Sequence, residues 1–386
     1  MRSFVGRQAL ARPHGIRCVP ATAKLLQLYA NPGGATVLAP RDWSSVLGAA
    51  RRSRALGHLG LRLLEAGVLP QVDPRITRHF LAARNVVRER RRLLRWELLE
   101  LADALRDTAC DIVLLKGAAY ELQELPLAAA RIASDIDLLV PRAHLATVER
   151  SLLARGWNLE EMSDYDERYY REWSHELPPF MHHMREVEVD VHHSITPSLS
   201  SDSEAMRLLL RDARTLRWPV GARGRVVERF QALAPIDQVV HAAVHTFGDS
   251  DLALRLREVM DFDWLYRRLL AELGADAPAA LARRARELGQ TRPVHWALHF
   301  SRRWLGTPVP ADVLAELARS PARTRLMEWL VDRAMLPGER QHRRPIEAFA
   351  ETALLARHHW QRMPLPRLVP HLARKAVWRM RTRAGE

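Results

Sequence analysis

At 386 residues and 47% hydrophobic content, the chain is long enough for two or three domains with sizeable cores. Lys and Arg outnumber Asp and Glu by 59 to 45, a formal charge of +14. That excess fits either a solvated surface or an anionic partner such as a nucleotide, nucleic acid or a membrane headgroup. Only two cysteines occur, Cys18 and Cys110, which argues against a disulfide framework or a structural zinc site. No apolar run approaches the roughly 18 residues of a membrane span, and the start lacks a signal-peptide pattern, so a cytoplasmic protein is expected.

Residues 1–21 lack periodicity and read as a loose arm, followed by a short helix over 22–29 that the Asn31-Pro32-Gly33-Gly34 run breaks. Asp42 is expected to cap a helix reaching about residue 55, and another runs over 59–66. Pro74 opens the longest helical stretch, to about residue 108, with Phe80, Leu94 and Leu98 on its apolar stripe. Its many arginines, among them Arg84, Arg88, Arg91 and Arg92, read as a solvated face.

The informative stretch comes next. Residues 111–115 form an apolar strand that stops at Gly117 and turns into a helix over about 118–125. Residues 134–140 alternate, with Ile136, Leu138 and Val140 on one face and Asp135 and Asp137 on the other. Two like charges on one strand face repel, and a divalent cation would offset them. After Pro141 a helix carrying Leu145, Val148 and Leu152 ends at Gly156, and residues 157–160 form a short strand. Residues 164–173 read as a loop or short helix, and the prolines at 178 and 179 keep 175–182 extended. In the strand over 187–192, the valines form one face and Glu188, Asp190 and His192 the other. If this strand pairs beside the first, Asp190 joins Asp135 and Asp137 around the same cation.

This order of Gly turn, Asp-x-Asp strand, Gly-capped helix and lone-Asp strand resembles the polymerase-beta-type nucleotidyltransferase superfamily. Within it, Leu115-Lys116-Gly117, Arg131, Asp135-Ile136-Asp137, Gly156 and Val189-Asp190-Val191-His192 resemble a bacterial nucleotidyltransferase group that carries Leu-Lys-Gly where better-known members carry Gly-Ser. The resemblance covers the middle third of the chain well. It implies Mg²⁺ (or Mn²⁺) held by Asp135, Asp137 and Asp190, in a two-ion arrangement with a spacing of about 3.5–4 Å. Asp190 would also serve as the base for an acceptor hydroxyl. Lys116, Gly117 and Arg131 would hold the triphosphate of an NTP, ATP foremost. Glu188 and His192 would support the ligands, and His245 would line the acceptor side. The acceptor is open: a small molecule, RNA, a protein or a biosynthetic intermediate. A nucleotide-binding sensor or scaffold with weak catalysis is the alternative, and Lys-Gly in place of Gly-Ser supports it.

Beyond residue 197 strand signals mostly vanish, apart from a short hairpin within 217–227. A helix over 235–247 places Asp237, His241 and His245 on one face, where a structural role outweighs a metal cluster. Further helices follow from residue 252, and the basic stretch 354–383 is expected to pack as helices with solvated arginines. The expectation is an α+β protein: a helical region over 1–108, a small mixed-sheet nucleotidyltransferase core over 109–200 and a helical region over 201–386.

Overall fold

The structure is a computed structural model, which describes residues 19–160, 162–163, 167–168, 170–171, 174–196, 199–201, 203–220, 225–248, 252, 255–318, 321–336 and 345–362. Proline placement sets several helix starts, because a fixed φ and a missing N–H suit the first helical turn. It opens α1 (Pro20–Ala30), α2 (Pro40–Arg52) and α4 (Pro74–Ala104), with α3 (Leu56–Glu65) between. Asp42 does not cap α2 as expected: the helix starts at Pro40, with Ala39 at the cap, and Asp42 sits in its first turn, 2.6 Å from Lys24 Nζ. Asp73 caps α4, its carboxylate accepting from the Arg75 N–H at 2.7 Å.

The arginine face of α4 is only partly a solvated one. Arg91 and Arg95 both hold Glu121, a fully buried carboxylate of α5 (Lys116–Leu122), and so fasten the long helix onto α5. Further along α4, Glu97 accepts from Arg185 at 2.6 Å.

The sheet is mixed. Its strands are β1 (Val113–Leu114), β2 (Asp135–Leu139), β3 (Trp157–Leu159), β4 (Phe180–His182) and β5 (Glu188–His192), joined by β6 (Arg214–Thr215) and β9 (Gln231–Ala232). The spatial order is β3-β4-β5-β2-β1-β9-β6, with β2–β5 and β1–β9 parallel and the other pairs antiparallel. The last two strands come from beyond residue 200, where no period was legible; two residues are too few to show one. The expected hairpin is β7 (Trp218–Val220) paired with β8 (Arg225–Val227). A helix α6 (Leu145–Ala154) precedes β3, and α7 (Glu204–Arg211) precedes β6.

The remaining helices are α8 (Pro235–Phe247), α9 (Leu256–Leu273), α10 (Ala277–Glu287), α11 (Thr291–Leu305), α12 (Ala311–Leu317), α13 (Pro321–Met335) and α14 (Pro345–Arg362). Helix α8 packs against α9 and α11, and α11 returns to α1. Buried side chains from Ala21 to Leu354 join one hydrophobic cluster, so the flanking helices share a core with the sheet. The architecture is α+β with helical flanks. The expected arm falls outside the described residues up to residue 18, as does the basic stretch after residue 362. Among the described residues, no helix is long and apolar enough to cross a membrane.

Candidate active site

Strands β2 and β5 run side by side in parallel, with Asp135 opposite Glu188, Asp137 opposite Asp190 and Leu139 opposite His192. Paired residues in register project from the same face of a sheet. Ile136, Leu138, Val189 and Val191 fill the other face and are fully buried. The parity read from each strand is thus preserved across the pair, and Asp135, Asp137, Glu188, Asp190 and His192 share one face. Ligand atoms of Asp137, Asp190 and His192 lie within 4.8 Å of one another. Asp135, at the start of β2, is one pleat repeat away from that group and receives the Ser134 hydroxyl at 3.2 Å.

The counter-charges at this face converge on Asp137. Lys116 Nζ lies 2.6 Å from Asp137 Oδ1, and His192 Nε2 lies 3.0 Å from the same oxygen. Burial alone would raise Asp137, but the Lys116 ammonium and the His192 hydrogen bond outweigh it and hold the carboxyl well below its usual range. Asp190 goes the other way: burial and the facing Asp137 push it up to about 8. Burial opposes charge on Lys116 and His192, yet Asp137 beside the first, and Asp137 with Glu176 beside the second, raise both. Glu188 is raised by burial and by Asp135.

Lys116, not Gly117, carries the left-handed backbone at this turn, with φ of 45°. Gly117 is required for a different reason: a Cβ there would lie 2.6 Å from the Ala133 Cβ. Helix α5 therefore begins at Lys116, two residues earlier than expected, and its first turn packs on the segment leading into β2. Arg131, in that segment, donates from Nη1 to Asp261 Oδ2 at 2.7 Å, and its guanidinium lies 5.7 Å from the centre of the Tyr120 ring. Asp261 also meets His58 Nε2 at 2.6 Å. Arg131 is thus committed to a buried network joining α3, α9 and the approach to β2.

His245 and His241 stack on α8 with ring centres 6.5 Å apart. Burial and the Lys116 charge keep both neutral, His241 down at about 3 and His245 also well below its usual value. Asp237 turns away from them and makes a bidentate pair with Arg284 at 2.7 and 2.9 Å. The helical Asp-His-His spacing therefore does not bring the Asp237 carboxylate to the two imidazoles.

Two residues near the site carried no motif. Glu176 Oε2 lies 3.1 Å from His192 Nδ1, and His175, Glu176 and His192 form a second group whose ligand atoms lie within 4.8 Å of one another. Their only signal was the extended reading of 175–182, which did not say which strand that segment would meet; Glu176 bridges to His192 at the edge of β5.

No curated protein and no solved structure matches the chain. A family model described as an uncharacterised nucleotidyltransferase matches residues 39–306, which run from the start of α2 to the end of α11 and include every candidate residue above. With well over half of its length matched, and its carboxylates gathered on one sheet face, the chain belongs to this nucleotidyltransferase family.

Proposed function

We propose that the chain transfers a nucleoside monophosphate from an NTP, ATP foremost, to a hydroxyl-type acceptor, with Asp135, Asp137 and Asp190 holding Mg²⁺ or Mn²⁺. The observation that carries this reading is the register of Asp137 opposite Asp190 on adjacent parallel strands. The donor set suits a divalent cation. Its carboxylates repel one another on a largely buried face, and the Asp190 carboxyl, pushed up to about 8, is one that a bound cation would return to its ionised form. Such a cation supplies charge neutralisation for phosphate oxygens and for the facing carboxylates.

The chain's own residues divide the remaining work. Asp190, once ionised, accepts the proton of the acceptor hydroxyl. Gly117 lets the start of α5 sit close to the β2 approach, and Lys116 supplies the ammonium nearest the triphosphate. Arg131 acts at one remove, by tying that approach to Asp261. Glu188 and His192 flank the ligands, and the neutral His245 lies on α8, close enough to Lys116 to feel its charge.

One observation favours the sensor reading. The Lys116 ammonium already lies on Asp137, at 2.6 Å, so it neutralises an oxygen that a metal would use. Incubation with labelled NTPs, Mn²⁺ or Mg²⁺ and acceptor pools separates the two. An enzyme releases pyrophosphate and labels an acceptor, and Asp190→Asn abolishes both while still binding nucleotide. Asp137→Asn should lose metal binding by calorimetry. Nucleotide binding without pyrophosphate release, identical in Asp190→Asn, would leave the sensor.

A further inference from the structure

A cleft of about 530 Å³, within the size range of small-ligand sites, lies beside the carboxylate face. One wall is the segment before β2, and its residues sort by parity. Arg131 and Ala133 turn toward Asp261 and Gly117, on the α5 side. Ala130, Ile132 and Ser134 line the cleft. Leu56, Ala83, Val86 and Val87, from α3 and α4, add an apolar wall. Val86 and Ile132 are 52% and 41% exposed, which is unusual for apolar side chains grouped at one place.

The charged lining is of one sign: Arg51, Arg54 and Arg257, with no carboxylate among the lining residues. Among the described residues, Arg51 meets only a histidine, His79, at 3.0 Å. Arg257 pairs with Glu258 at 2.9 Å, yet its Nε–H is buried with no hydrogen-bond partner among the described residues. Arg54 has no ion pair among the described residues and is held at φ of 54°, a left-handed conformation that costs an arginine free energy. The cleft ends one side chain from the metal face, because Ser134 lines it and donates to Asp135 at 3.2 Å.

Resting on the nucleotidyltransferase reading above, we propose that this cleft binds the acceptor, and that the acceptor is an amphipathic organic anion: a phosphate- or carboxylate-bearing molecule with an apolar body. The arginines take the oxyanion, since a guanidinium matches carboxylate and phosphate geometry. The α3–α4 wall takes the apolar body. The donor triphosphate is assigned to the opposite side of the 130–134 segment, at Lys116 and Gly117, so the two substrates approach Asp135 from different sides.

The test is calorimetric titration of the full chain with hexyl phosphate, hexanoate, hexanol and inorganic phosphate, with and without MgATP. The hexyl phosphate and hexanoate arms separate the two oxyanions. One of these amphiphiles binds more tightly than hexanol and than inorganic phosphate, and MgATP does not displace it. Arg54→Gly removes one guanidinium and relaxes the left-handed backbone, so the variant folds. It weakens the bound amphiphile by about ten-fold, the loss of one charge-assisted contact. Val86→Asp, at an exposed position, does the same by repulsion. MgATP affinity in both variants stays within about two-fold of the parent chain. Binding of neither amphiphile, or equal binding in the parent chain and both variants, overturns the proposal. Displacement by MgATP, with MgATP weakened in both variants, also overturns it and gives the cleft to the donor. Failure of Asp137→Asn to lose metal binding would instead strike the catalytic reading and leave the amphiphile titration standing.

Discussion

Substituting Asp190 by Asn keeps the volume and polar atoms of the side chain and removes one ionisable carboxyl from the position facing Asp137. In the metal-free protein that carboxyl has its proton affinity raised, from an ordinary value of 3.8 to about 8, by burial and by Asp137. Between those values the folded state holds a proton that the unfolded chain has released, so this group lowers stability progressively as pH rises from about 4 to about 8. Each tenfold change in proton affinity is worth about 1.4 kcal/mol, and solvent screening reduces the effect for a part-buried carboxyl, leaving about 3 kcal/mol at pH 8. Asn carries none of this burden. In EDTA at pH 8 the Asp190→Asn protein should therefore be about 3 kcal/mol more stable than the parent chain, the gain vanishing near pH 4. Metal cancels most of that gain: saturation at a hundred times the dissociation constant adds about 2.7 kcal/mol to a protein that binds it, and the variant receives little of that. Urea denaturation followed by the fluorescence of the 11 tryptophans, in EDTA and in Mn²⁺ at pH 5 and pH 8, reads all of these differences. A variant less stable than the parent chain in EDTA at pH 8 would refute the reasoning, and so would equal stabilisation of both proteins by Mn²⁺.

Lys116→Ala leaves Asp137 buried without its ammonium and should cost about 3–5 kcal/mol in EDTA, partly recovered by Mn²⁺, as read from urea midpoints. Gly117→Ala brings a methyl to 2.6 Å from the Ala133 Cβ. The forced shift of the β2 approach should cost about 1–3 kcal/mol by thermal melt and weaken MgATP in a parallel titration. Asp261→Asn strips the carboxylate from Arg131 and His58, with an expected loss of about 3 kcal/mol at pH 7 by urea unfolding. Burial opposes the Asp261 charge, but Arg131 and His58 hold the carboxyl below its ordinary value of 3.8, so its contribution is present above that pH and fades below it. The two unfolding curves should accordingly converge in acid.

The site was legible in the sequence to the extent that it is local. The alternation of Asp135 and Asp137 with Ile136 and Leu138, and of Glu188, Asp190 and His192 with the valines, fixes which side chains share a face of each strand, since the period is set by the backbone itself. Pro74 and Pro235 mark helix starts for an equally local reason. The family resemblance added the expectation that the two strands meet.

Tertiary structure decided everything that depends on partners remote in sequence. Residue alternation does not encode which strand lies beside β2, nor the register that sets Asp137 opposite Asp190. The turn lysine was assigned to phosphate by its place beside Gly117; that its ammonium also meets Asp137, 21 residues away, is set by packing. Arg131 is a candidate phosphate or carboxylate clamp from the sequence, and the carboxylate it holds is Asp261, 130 residues later, which in turn meets His58 across 203 residues. Arg91 looked like part of a solvated helix face until α5 brought the buried Glu121 beneath it, where Arg95 meets the same carboxylate. Each of these is a charge whose role is set by the low-dielectric company it keeps after folding, and a desolvated charge must find its counter-charge wherever the chain's packing delivers one. The sequence determines which side chains are available on each face; packing alone determines which of them meet.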